Sequence, residues 1–211
     1  MFGKWKYMVP IGITAILVVA KFYDKGARKE RSLRSVAQEE LRLPRFGKVR
    51  RFQLYSQEGE AFDSASHLEG KVWVASFIFT RCQGPCPMMA QKMAGLQQHL
   101  FEKNDPTQLV SISMDPDYDT PFVLKAFGDK YAADYQRWTF LTGAKPTIIE
   151  LAKEVFRVPA GEEPDMHSTR FILVDSESYI RGYYDAQSGA AELRKAIQQL
   201  SQEQPDVLAT T

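Results

Sequence analysis

An α/β sandwich is the fold class this sequence predicts, and three observations predict it. Residues 71–79 and 108–114 are almost continuous apolar runs, the pattern of strands buried on both faces. Amphipathic helical stretches separate and follow them, so strands and helices alternate. Towards the carboxyl end two strand-like runs lie close enough to pair as a hairpin, and a last helical stretch closes the chain.

The chain has 211 residues, enough for one domain plus a tail. Its net charge of +1 gives no global signal for nucleic acid. That average hides an asymmetry. Residues 1–51 hold 13 Lys/Arg against 4 Asp/Glu, a net of +9, whereas residues 52–211 hold 14 against 22, a net of −8. A basic leader beside an apolar segment suits an anionic membrane surface, or else a solvated linker.

Tyr7 to Ala20 is apolar and is flanked by Lys4, Lys6 and Lys21. Extended through Tyr23 it reaches 17 residues, at the short edge of the roughly 17–25 that span a bilayer. Residues 1–23 are therefore expected to form a single transmembrane anchor. A signal segment cleaved after Val18-Val19-Ala20 is the alternative. Trp5, Tyr7, Phe22 and Tyr23 favour the anchor, because aromatic residues gather at membrane interfaces. No cysteine near the segment offers a lipid attachment point. Lys21, Lys25, Arg28 and Lys29 outnumber the two lysines before the segment. Charge bias alone would keep the domain on the cytoplasmic side.

Residues 24–47 read as a basic linker with a helical tendency around Ser32–Leu43, residues 48–203 as the folded domain, and 204–211 as a tail. Within the domain, residues 49–55 and 60–63 flank a Gln57-Glu58-Gly59 turn, which predicts an N-terminal hairpin. Residues 71–79 form the first buried strand. Met89, Met93, Leu96 and Leu100 then recur at helical spacing and define one buried face. Residues 108–114 form the next strand. A helix is expected at 120–131 with Pro121 in its first turn, a strand at 138–141, and a helix at 146–156 opened by Pro146. Residues 170–175 and 179–184 form the second hairpin. Residues 190–201 form the last helix, with Leu193, Ile197 and Leu200 on one face. This order is that of a thioredoxin-like sandwich.

The two cysteines lie four apart in Arg81-Cys82-Gln83-Gly84-Pro85-Cys86-Pro87, between the first buried strand and a helix. Pro87 suits a first helical position, which places Cys86 at the helix N-terminus. The dipole there favours a thiolate. Two sulfurs at this spacing can close a disulfide or hold one ion. A purely structural staple is the weaker reading. A cross-link over about five residues removes only about 2 kcal/mol of unfolded-state entropy, against about 4.7 for a loop of 100. No second cysteine pair completes a tetrahedral zinc site. Two soft sulfurs plus an imidazole suit copper, Cu(I) above all and Cu(II) second. Of the three histidines, His67 lies in a polar stretch and His99 more than three helical turns past the cysteines. His167 immediately precedes the second hairpin, a junction that faces the cysteine loop in this fold. Met88, Met89 and Met166 add soft sulfur nearby, with packing or surface roles expected. Asp115, Asp117 and Asp119 precede a helix and are expected to cap it and shape the turn rather than to bind a hard cation, with Asp119 or Thr120 before Pro121 as the N-cap.

Five blocks in order resemble the Sco/SenC family of cytochrome oxidase assembly proteins, over roughly residues 48–202. They are Gly70-Lys71 leading to Phe77-Ile78-Phe79-Thr80-Arg81-Cys82, then Cys86-Pro87; Ser113-Met114-Asp115-Pro116 with Asp119-Thr120-Pro121; Trp138-Thr139-Phe140-Leu141-Thr142-Gly143; and His167-Ser168 leading to Leu173-Val174-Asp175. The resemblance implies an exported domain with a copper site at Cys82, Cys86 and His167. The implied role is maturation of the binuclear copper centre of oxidase subunit II, or of another copper-protein acceptor. It proceeds by delivering copper or by reducing the acceptor's cysteines, with a thiol reductant as a second partner. The implied location is the bacterial periplasm or another extracytoplasmic face, or the mitochondrial intermembrane space, opposite to the charge bias. Two positions depart from the family pattern. Gln83-Gly84 stand where Pro-Asp is frequent, and Met166 stands where an acid often precedes the histidine. Both remove negative charge near the sulfurs and leave delivery against reduction open. A thiol–disulfide oxidoreductase without copper is the main alternative. A peroxidase-like thiol enzyme with Arg81 assisting Cys82, and a non-catalytic sensor or scaffold, are the others.

Overall fold

A computed structural model describes residues 42–161, 163 and 168–203. The expected anchor at 1–23, most of the linker, His167, Met166 and the tail at 204–211 lie outside the described residues. Among the described residues no helix is long and apolar enough to cross a membrane.

The strands are β1 (Gly47–Lys48), β2 (Gln53–Ser56), β3 (Ala61–Asp63), β4 (Trp73–Ile78), β5 (Gln108–Ser113), β6 (Trp138–Thr142), β7 (Arg170–Val174) and β8 (Tyr179–Asp185). They form one sheet in the order β1-β8-β7-β4-β5-β6-β2-β3. β4, β5 and β6 run parallel, and every other pairing is antiparallel. The helices are α1 (Ser64–Leu68), α2 (Pro85–Glu102), α3 (Pro121–Lys130), α4 (Lys145–Glu150) and α5 (Ala190–Glu203). This is the mixed α/β, thioredoxin-like arrangement that the alternation predicts.

β4 is buried along its whole length, as its unbroken apolar run requires. Its residues alternate between two cores. Trp73, Ala75 and Phe77 face one core, where the ring of Phe156 meets Trp73 edge-on at 5.9 Å and Phe77 at 5.4 Å. Val74 and Ile78 face the other, against Met89, Met93, Leu96 and Leu100 of α2, Leu124 and Phe127 of α3, and Leu193, Ile197 and Leu200 of α5. Both predicted helical stripes are therefore core. Because α2 and α3 follow neighbouring parallel strands and pack on one face, their first turns lie at the same end of the sheet, beyond the carboxyl ends of β4 and β5.

Three details differ from the sequence expectation. Main-chain packing begins before Lys48. Arg181 donates from Nη2 to the Leu43 carbonyl at 2.7 Å, and Phe46 N–H donates to Ile180 O at 2.9 Å. The short helix α1 was not expected, since five residues are too few to show a period; Asp63 caps it by accepting from Ala65 N–H. The helix expected at 146–156 starts one residue earlier and widens into a π turn over Leu151–Val155. It closes through Phe156 N–H to Leu151 O at 3.0 Å.

Candidate metal and thiol centre

The connection from β4 into α2 carries both cysteines, and they are not joined in a disulfide. Gly84 caps α2, and Pro85 takes the first helical position. The helix thus begins two residues before the expected Pro87, and Cys86 falls inside its first turn. There it turns into the α2 core and is fully buried, whereas Cys82 is half-exposed. Cys82 N–H donates to Phe79 O at 3.3 Å, and Gly84 N–H donates to Cys82 Sγ at 3.3 Å. The loop therefore wraps around the outer sulfur.

This geometry corrects the expectation that the helix dipole makes Cys86 a ready thiolate. Burial dominates and pushes the Cys86 thiol up to about 12. A backbone hydrogen bond at Phe79 acts in the opposite direction, while the hydrogen bond with Cys82 and the negative charges of Cys82 and Asp119 add to the rise. Burial therefore disfavours the Cys86 thiolate relative to an exposed cysteine. Iodoacetamide should accordingly label Cys82 well before Cys86 in the reduced protein. Timed mass spectrometry checks this, and equal rates would contradict the burial.

The β5–α3 loop grips the cysteine loop. Asp119 is fully buried. It accepts from Thr80 N–H at 3.1 Å, from Thr80 Oγ1 at 2.5 Å and from Ser113 Oγ at 2.5 Å. Burial raises the Asp119 pKa above the ordinary carboxylate range, and the hydrogen bonds from Ser113 and Thr80 oppose that rise. Arg81 donates from Nε to the buried Asp115 carboxylate at 2.6 Å and lies over the Tyr118 ring, 4.9 Å from its centroid. Of the two expected cap residues, Thr120 caps α3, accepting from Val123 N–H at 3.4 Å with Pro121 next, and Asp119 turns to the cysteine loop instead. Among the described residues no three His, Cys, Asp or Glu side chains are grouped to hold a metal ion. The motif was visible in the sequence, but nothing local reveals that Asp119 reaches back 39 residues to Thr80.

The histidines separate as well. His67 places Nδ1 2.9 Å from Asp63 O and stacks on Phe62, a local packing role. His99 lies in the last turn of α2, at the opposite end from the cysteines. His167 itself is outside the described residues. Its flank is well placed, since antiparallel pairing of Ala75 with Ile172 carries the start of β7 up to the carboxyl end of β4, where the cysteine loop begins. Met89 is core, as expected, and Met88 is half-buried.

Fold and site together define a thioredoxin-like dithiol domain, with one accessible and one buried sulfur on a loop clamped from the neighbouring β–α connection. The family model described as SCO1/SenC matches residues 43–202, and the chain belongs to that family. A SCO1 protein homolog of Bacillus subtilis (strain 168) is 33% identical over 152 residues, covering 70% of this chain and 78% of the relative. The structure of BsSco, a member of the Sco family of cytochrome c oxidase assembly proteins in which a disulfide switch was identified, superposes with a TM-score of 0.69 at 29% identity, covering 77% of this chain and 98% of that one. Arabidopsis thaliana ScoI, solved with copper bound, shares the fold at 24% identity with a TM-score of 0.60, covering 72% of this chain and 99% of that one.

Proposed function

We propose that this chain carries copper on Cys82 and Cys86, with His167 as third ligand, and serves the binuclear copper site of cytochrome c oxidase subunit II. The supporting observation is the pairing of an accessible and a buried sulfur, not joined in a disulfide, where β4 passes into α2 at the end of the sheet where β7 begins. Soft, low-coordinate sulfur donors suit Cu(I). Copper is cargo here. It displaces the thiol protons on loading and leaves by ligand exchange, the acceptor's donors replacing Cys82 and then Cys86. The family is one of oxidase assembly proteins, which supports a copper-protein acceptor. Handling copper for an oxidase supports an extracytoplasmic domain held by an anchor in residues 1–23.

The same sulfurs favour a second reading, thiol–disulfide exchange without copper. The Cys82 thiolate attacks a partner disulfide and forms a mixed disulfide, and Cys86 then resolves it. The partner gains two electrons, and the chain is left with a Cys82–Cys86 disulfide that an external dithiol must reduce. The half-exposed and buried pair matches the attacking and resolving roles.

Copper titration of the reduced and oxidised full chain separates the two readings, with His167→Ala alongside. The reduced wild type should bind one copper and the oxidised form none. His167→Ala should weaken binding by more than the roughly 10–100-fold typical of losing an outer-shell partner, while leaving disulfide exchange nearly unchanged. Binding unaffected by His167→Ala would remove the histidine from the site.

A further inference from the structure

Large apolar side chains exposed on a folded surface call for a reason when they cluster. Among the described residues five are well exposed: Phe46, Tyr55, Phe101, Tyr118 and Phe122. Phe101 lies near the carboxyl end of α2, away from the cysteines, and Tyr55 on the N-terminal hairpin. Tyr118 and Phe122 are different. They sit four residues apart on the connection that grips the cysteine loop, and they are 49% and 81% exposed.

Their placement follows from contacts already described. Asp119, between them, is bonded to Thr80, two residues before Cys82. Tyr118 lies under the guanidinium of Arg81, the residue before Cys82. Phe122 is in the first turn of α3, and Cys86 is in the first turn of α2, on the same face and at the same end of the sheet. The rest of α3 explains why Phe122 is free. Leu124, Phe127 and Gly128 take the sheet-facing positions, so Phe122 has no core to enter. Arg81 is anchored by Asp115, yet its side chain remains 57% exposed. The cysteine loop is thus neighboured by an anchored arginine and two exposed aromatic rings, the residue types that dominate binding energy at protein interfaces.

We propose that Arg81, Tyr118 and Phe122 form the docking surface on which a protein acceptor seats its own cysteine pair against Cys82. The proposal rests on the copper-transfer reading above and adds the surface that selects the acceptor. The rings lie on and just after the segment that grips the cysteine loop, at the same end of the sheet as Cys82, so a partner that exchanges ligands with Cys82 covers them. A small ligand that reaches the sulfur from solvent need not. The Arg81–Asp115 pair holds the base of the surface in place, so the patch does not have to order itself on contact.

The test uses the Cu(I)-loaded full chain in two reactions: transfer to the apo soluble copper domain of oxidase subunit II, and removal by a small bidentate Cu(I) chelator. Binding of that domain is followed separately by fluorescence anisotropy. Tyr118→Ala/Phe122→Ala should slow transfer to the protein and weaken binding by roughly 30-fold or more, the size of one interface hot spot. Chelator removal should proceed at the wild-type rate. Phe122→Leu should restore most of the binding. Equal losses in both reactions would mean that the variant disturbs the copper site, and unchanged protein transfer would mean that the rings take no part; either result overturns the proposal. Ring-dependent binding without transfer in the wild type would uphold the surface and refute the copper-transfer reading. Neither binding nor transfer in the wild type would refute both.

Discussion

Replacing Cys82 and Cys86 together by alanine should abolish copper retention by the full chain and leave the fold in place. The two positions contribute differently, and the single variants should show it. Cys86 is a fully buried part of the α2 core. Alanine there removes one small apolar atom group, whereas serine buries a hydroxyl at a cost of about 1–3 kcal/mol. Alanine is therefore the cleaner probe of chemistry. Cys82 is half-buried at the edge of the same core, so Cys82→Ala should alter the unfolding midpoint less than a substitution at Cys86 does. Either single variant leaves one sulfur and should lose nearly all tight copper binding, since Cu(I) favours at least two soft donors. Dialysis against a competing chelator followed by metal analysis checks the binding, and denaturant unfolding checks the fold. Undiminished binding in the double variant would sink the copper reading of this site.

How much of this was legible from residues alone differs between fold and site. The strands were readable because β4 and β5 are buried on both faces, and that burial leaves an unbroken apolar run at 71–79 and 108–114. The stripe Met89, Met93, Leu96, Leu100 was readable because α2 packs one face only. Shorter elements were not. β1 has two residues and α1 five, too few for any period, and both depend on partners distant in sequence. The cysteine spacing points to a paired-sulfur site, but it does not reveal that Cys86 is fully buried. A helix terminus predicts a stabilised thiolate, and only the packing shows that the side chain turns inward, where burial outweighs the dipole. For the cap of α3 the sequence offers Asp119 or Thr120, and Thr120 takes that role; nothing local reveals that the partners of Asp119 are Thr80 and Ser113.

Asp119→Ala should be the most destabilising polar substitution near the site, and it should also loosen the cysteine loop. Its removal leaves the buried Ser113 Oγ–H and the part-buried Thr80 N–H and Oγ1–H without their acceptor. Each such donor costs about 1–3 kcal/mol, so a total of about 3 kcal/mol or more is expected. Asp119→Asn keeps one carbonyl oxygen for Thr80 N–H and should cost roughly 1–2 kcal/mol. The pH dependence has a definite sign. Burial raises the folded-state pKa of Asp119 above its unfolded value. The carboxyl's contribution to stability is then fully present below the unfolded pKa and is lost as pH rises through the raised folded value. Asparagine does not titrate, so the stability gap between wild type and Asp119→Asn should be widest in acid and shrink as pH rises through that window. Urea midpoints measured across the window decide this; a gap that widens with pH would mean that the three hydrogen bonds hold the group ionised against its burial. The consequence for function follows from the clamp. Thr80 is two residues from Cys82, so a freed loop no longer holds the outer sulfur over its partner. Copper affinity should fall by about 10–100-fold, as for other outer-shell partners of a metal ligand. A variant that loses stability and keeps full copper affinity would show that the clamp supports the fold without orienting the sulfurs.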